Sequence, residues 1–189
     1  MIFAKDIIKP KKLVFKTLSL EWVNHFGLPI FMGMLGLMSL FYGLRQPEPD
    51  RFLIGFGMTQ LILGSVLYWT QLRRLRFQSF SCYKSRKVFR EETRQLLIQN
   101  GWDVDYDNQQ FLQATLKTGF SQSTLITLRY KKDEVQWNLI RHPLNNNAIA
   151  LLLPVRKRGH QMIKKIEAQA LRLVNEESHR EVDRLQESQ

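Results

Sequence analysis

Two uninterrupted apolar runs constrain this chain more than anything else in it. The first, "FGLPIFMGMLGLMSLFYGL", occupies Phe26 to Leu44, and the second, "FLIGFGMTQLILGSVLYWTQL", occupies Phe52 to Leu72; they hold 19 and 21 residues and no charge. At about 1.5 Å of rise per residue each helix reaches roughly 30 Å, the thickness of a bilayer's hydrocarbon core. A soluble helical hairpin is the competing reading, but it needs polar residues every three or four places along one face. Apart from Thr70 and Gln71 at the very end of the second, only Ser39, Thr59, Gln60 and Ser65 interrupt the runs. The pattern therefore predicts a transmembrane hairpin with spans 26–44 and 52–72, joined by the polar "RQPEPDR".

Charge orients the hairpin. The chain has a net charge of +11, which ordinarily suggests a polyanionic partner, but the excess is not spread evenly. Residues 1–20 carry five Lys against Asp6, residues 73–90 carry seven Lys or Arg and no acid, and residues 91–189 are nearly balanced, 14 bases to 13 acids. Lys and Arg accumulate on the cytoplasmic side of a membrane, so both ends are expected there, in a multi-pass protein of the inner (plasma) membrane. Trp22, Tyr42, Tyr68 and Trp69 stand where interfacial aromatic belts belong. The stretch "RRLRFQSFSCYKSRKVFR" then lies against anionic headgroups, and long nucleic acid is not needed to explain it. A cleavable signal peptide fits poorly, because 25 residues precede the first run and no small-residue cleavage site follows it. The single Cys82 suits a reducing compartment; its place beside the membrane permits S-palmitoylation, against the plainer reading of a bystander thiol.

Three parts follow from this pattern: an interfacial segment over 1–25, the hairpin over 26–72, and a cytosolic domain over 73–189. Pro10 breaks the first, whose aliphatic residues are expected to dip into the headgroup region. Within the hairpin Gly33, Gly36 and Gly43 share one face of the first helix, and Gly57, Gln60 and Gly64 one face of the second. Small residues let membrane helices approach closely, either within the hairpin or between copies of a homo-oligomer. The pattern "YKSRKVFREETRQLLIQ" predicts a helix from Tyr83 to Gln99, stopped by Asn100-Gly101. No Gly or Pro separates it from Gly64, so span two is expected to run into it as one rod, or with a slight break near Ser79 to Ser81.

Four alternating segments come next, "WDVDY", "FLQATL", "TLITLRY" and "VQWNLIR", each expected as an antiparallel strand with one dry face. "AIALLL", Ala148 to Leu153, offers a fifth, and Gly159 precedes a helix from Gln161 to about Leu185. The expected fold class is α+β: the hairpin, then a small domain of helix, four- or five-stranded antiparallel sheet and helix.

Motifs for chemistry are scarce. His25, His142, His160 and His179 lack ligand spacing, there is no Cys pair or HExxH, and GxSxG, GxxxxGK[ST] and GxGxxG do not occur. Neither enzymatic activity nor a cofactor is expected. Asp103, Asp105 and Asp107 invite an acid–base or cation reading, but alternate strand residues simply line a wet face. The stretch "PVRKRGHQMIKK" concentrates Arg156, Lys157, Arg158, Lys164 and Lys165 at a strand-to-helix junction, where free N–H groups and the helix dipole favour an anion. A phosphate-bearing ligand is one reading, with Tyr130 and Trp137 as stacking surfaces for a base; a solvated helix start near the membrane is the other.

In layout, two N-terminal spans followed by a small cytosolic α/β domain with a basic site, the chain resembles the small membrane effectors of bacterial antiviral systems, including type III CRISPR-associated ones. The resemblance covers the arrangement of the whole chain and assigns no residue. It implies a non-enzymatic oligomer that senses a cyclic nucleotide in the cytosol and then perturbs the membrane. A membrane-tethered adaptor for a cytosolic protein is the alternative.

Overall fold

The computed structural model describes residues 8–9, 12–82, 85–117, 123–144, 155 and 157–171. A short pairing of β1 (Ile8–Lys9) with β2 (Lys12–Leu13) leads into two long helices, α1 (Leu20–Arg45) and α2 (Arg51–Arg74). Both are long and apolar enough to cross a membrane. Only 17% and 11% of their apolar windows are buried within the protein, whereas the core helix of a soluble protein would be mostly covered. Phe31, Met34, Leu37, Ile62 and Val66 are among the large side chains left exposed on them.

Local chemistry sets the helix starts. Ser19 accepts a hydrogen bond from the Trp22 N–H at 3.2 Å, and Asp50 accepts from Phe52 and Leu53 at 2.9 and 3.2 Å, satisfying donors that a first helical turn leaves open. Between the helices the glycines form the seam. A Cβ on Gly36 would lie 2.8 Å from the Gly57 carbonyl oxygen; one on Gly43 would meet Leu53 and Ile54, and one on Gly64 would meet Pro29 and Gly33. The residue that reaches Gly36 beside Gly57 is Leu61 rather than Gln60, which is half-buried. Gly36, Gly43, Gly57 and Gly64 are thus used within the hairpin, whereas a Cβ on Gly33 would meet nothing within 4 Å.

α2 does not continue into the next helix. It ends at Arg74, with Leu75 as its cap, and the chain turns into β3 (Gln78–Ser81) before α3 (Arg86–Gln99). The expected rod fails because "RFQSFS" alternates: Phe80 packs into the core beneath α3 while Phe77 joins a second apolar cluster, a period that only a strand delivers. β3 then takes the edge of a five-stranded antiparallel sheet, order β3-β7-β6-β5-β4, with β4 (Asp103–Asp107), β5 (Phe111–Lys117), β6 (Ser123–Tyr130) and β7 (Glu134–Arg141). The fifth strand is therefore β3; the segment Ala148 to Leu153 lies outside the described residues. A further helix, α4, is described over 157–171, so four helices stand among the described residues; the remainder of the helix expected to about Leu185 lies outside them. Gly159 falls inside α4 instead of ahead of it, at a place where a Cβ would come 3.0 Å from the Leu139 side chain.

Both faces of the sheet are covered, where one was expected to be wet. Leu112, Ala114, Ile126 and Leu128 face α3 and α4 and pack with Phe89, Leu97, Met162, Ile163 and Ile166. On the reverse face Leu125 and Ile140 pack with Leu13, Phe15, Phe26 and Leu75. The segment before α1 is thus not simply interfacial: Leu13 and Phe15 are buried in protein, with 1% and 4% of their surface exposed. Polar residues on that face pair among themselves, as Gln113 Nε2 does by donating to Thr127 Oγ1 at 3.1 Å. Cys82 is buried in the main core, which removes it from the acylation reading.

Candidate functional site

The hairpin base and the sheet border an open cavity of about 590 Å³, within the 300–1,000 Å³ typical of small-ligand sites. Its cations come from separate elements. Arg73 and Arg74 are the last turn of α2, where positive charge suits the helix dipole, and Arg76 follows in the link to β3. Arg141 enters from the end of β7, His25 from α1 and His160 from α4. Arg141 is close enough to Arg74 for the two guanidiniums to repel each other. No Asp or Glu stands among the described residues of the wall.

Asn138 fixes the geometry. Its Nδ2 donates to the carbonyl oxygens of Arg74 and Arg76 at 2.8 and 2.9 Å, joining β7 to the end of α2. Its Oδ1 is buried without a hydrogen-bond partner, and the His25 ring, also buried, lies against the Gln71 backbone. Both residues line the cavity and are 2% and 3% exposed. Unsatisfied buried atoms of this kind also occur away from the cavity, as at Gln136 Oε1 and Gln169 Oε1. Trp137, half-buried, adds an aromatic wall.

The residues singled out from the sequence are divided. Arg158 and Lys165 line a smaller cavity of about 250 Å³ with Asn100, Trp102 and Gln161, and Lys165 Nζ donates to Asn100 Oδ1 at 2.7 Å. Lys157 and Lys164 are exposed on α4, on the side away from its buried residues Met162, Ile163 and Ile166. Arg156 lies outside the described residues. Of the two aromatics, Trp137 reaches the larger cavity, whereas Tyr130 is core: it lies edge-on to Phe89 at 6.3 Å, and burial raises the pKa of its phenol.

The aspartates are structural. A bulge between Val104 and Tyr106 breaks their alternation, leaving Asp103 and Asp105 on the hairpin side and sending Asp107 toward α3. Asp103 pairs with Lys117 at 3.2 Å, Asp105 accepts from the Thr115 hydroxyl, and Asp107 meets Arg90 and Arg94 at 3.4 and 3.6 Å. No group of three or more His, Cys, Asp or Glu suited to a metal occurs among the described residues.

Sequence reasoning missed Arg73, Arg74, Arg76 and Arg141 as a set. The signal lay in the basic run after span two, which membrane electrostatics accounts for equally well. His25 and His160 meet on one wall only through tertiary folding. No protein-family model matches the chain, and no curated protein or solved structure matches it.

Proposed function

We propose that the chain is a non-enzymatic inner-membrane protein whose hairpin spans the bilayer twice, with both termini cytoplasmic, and whose sheet domain senses an anionic ligand such as a cyclic nucleotide. The single observation that carries this reading is the basic cavity shared by the end of α2 and the edge of the sheet. A ligand held by Arg141 on one side and Arg74 on the other bridges the domain and the span directly. Asn138 supplies a second link, through the two carbonyls that end α2. The expected helical rod is not needed for coupling, because the sensing residues themselves belong to the span. The ligand favours whichever arrangement of α2 on the sheet it binds more tightly, and the hairpin, assembled in a homo-oligomer, follows and perturbs the membrane. The cation-rich flanks support the cytoplasmic placement of the cavity.

The test uses the full chain reconstituted in dye-filled liposomes and titrated with a panel of cyclic oligoadenylates. Ligand-dependent leakage is expected, with Arg141→Gln needing roughly tenfold more ligand, the loss of one charge-assisted contact. Leakage that no member of the panel changes, with a stoichiometric cytosolic protein recovered on the purified chain, would favour a tethered adaptor. A reporter fused after Gln189 and found outside the cell would remove the orientation.

A further inference from the structure

We infer that Gln60 is the contact by which copies of this chain assemble in the membrane, its amide pairing with the Gln60 amide of a second copy. This rests on the proposal that the hairpin spans the bilayer, and it names how the copies meet.

Depth makes the amide costly. Eight residues separate Gln60 from Phe52 and twelve separate it from Leu72, roughly 12 and 18 Å along the helix axis. A glutamine side chain is too short to carry its amide to either surface from there. Hydrocarbon offers no hydrogen bond, so an amide at that depth stays unsatisfied until protein answers it. The hairpin does not answer it. The threonine hydroxyls of α2 turn back on their own helix, Thr59 Oγ1 donating to the Gly55 carbonyl at 2.9 Å and Thr70 Oγ1 to the Val66 carbonyl at 2.8 Å. The Gln60 amide has no such partner among the described residues.

Its neighbours on the helix surface show which side is open. Gly57 and Gly64, three residues before it and four after, are buried in the seam with α1. Phe56 and Leu63, four before and three after, are 42% and 44% exposed. Gln60 stands on the border between these two rows and is half-buried. A helix that covers Phe56 and Leu63 therefore reaches the amide.

A second copy meets the requirement for two reasons. Copies in one membrane share their orientation, so the axis that relates them stands along the membrane normal and sets each residue at the depth of its own counterpart. A primary amide is also self-complementary: its N–H donates to the partner's oxygen while its oxygen accepts the partner's N–H. Gln60 opposite Gln60 thus satisfies both side chains without calling on any other polar residue, and such pairs hold membrane helices together.

The experiment is energy transfer between donor- and acceptor-labelled full chains, tagged after Gln189 and reconstituted in liposomes of phosphatidylcholine and phosphatidylglycerol, as lipid is added to dilute them. Transfer is expected for the natural sequence. Gln60→Leu is expected to need about tenfold more protein per lipid for the same transfer, and Gln60→Asn, which keeps an amide, to retain part of the association. Thr59→Val leaves it unchanged, because that hydroxyl is satisfied within its own helix. Gln60→Leu removes no bond within the chain, so its melting in detergent matches or exceeds that of the natural sequence. Alkaline extraction of the same membranes separates the failures. A chain washed out as a peripheral protein overturns both the spanning hairpin and this contact. A chain that stays embedded, yet shows no transfer at any dilution or transfer indifferent to Gln60→Leu, overturns the contact while the spanning hairpin stands.

Discussion

At Gly36 and Gly57 the two long helices touch backbone to backbone, and a Cβ built on either lies 2.8 Å from the other's carbonyl oxygen. Neither oxygen can retreat without bending a helix, so Gly36→Ala is expected to destabilise the hairpin by about 1–3 kcal/mol. Gly55→Ala is the control: its Cβ would meet nothing within 4 Å, and helix propensity favours Ala by up to about 1 kcal/mol. Thermal unfolding of the two variants in one detergent checks the difference. A second residue-scale expectation concerns His142. Burial holds its imidazole below the ordinary 6.5, against the opposing pull of Asp105 and Glu21, and its Nδ1 accepts the Leu144 N–H at 3.2 Å, which requires the neutral ring. The unfolded chain therefore takes up this proton before the fold does. The stability it contributes is complete above pH 6.5 and is lost as pH falls through 6.5 toward the folded value. Denaturant midpoints are expected to drop between about pH 7.5 and 5.5, and to drop less in His142→Gln.

At the scale of elements, the approach to α1 is the least expected part. Lys-rich and interrupted by Pro10, it reads as a segment lying on the membrane, yet Leu13 N–H bonds the Leu75 carbonyl at 2.8 Å and Phe15 stacks tilted against His25 at 5.4 Å. Its apolar residues fill the space between hairpin base and sheet. Phe15→Ala is accordingly expected to cost about 3–5 kcal/mol, as for a core phenylalanine, whereas an interfacial side chain would leave the stability of the purified chain almost unchanged. Chemical unfolding in detergent separates the two. β3 shows the same effect from the other side: its serines and Phe80 satisfy a helix or a strand locally, and pairing with Glu134–Trp137 of β7 decides for the strand.

For the whole molecule, hairpin and sheet share a core. Phe26, Leu72 and Leu75 from the helices meet Leu125 and Ile140 from the sheet, and Asn24 Nδ2 donates to the Pro143 carbonyl at 3.0 Å. A polypeptide of residues 86–189 lacks β3 and uncovers that face, so it is expected to aggregate, while the full chain in detergent stays monodisperse. Size-exclusion chromatography of both decides it, and a soluble 86–189 that unfolds cooperatively would show that the domain does not need the hairpin. The shared core is also why residues of both the hairpin and the sheet line the cavity.

The apolar runs, the four strands from Asp103 to Arg141 and the helix ending at Gln99 were legible in the sequence, because each depends on a period or a length that neighbours along the chain set among themselves. The α+β class followed from their order. What only the tertiary structure decided was everything that joins parts distant in sequence. It bent the chain into β3, covered the second face of the sheet, sent Arg158 and Lys165 to one cavity, and brought Arg74 and Arg141 together in another. A basic residue beside a membrane looks the same in sequence whether it meets headgroups or a cavity. The difference lies in which buried partners stand opposite it, and those are chosen by packing.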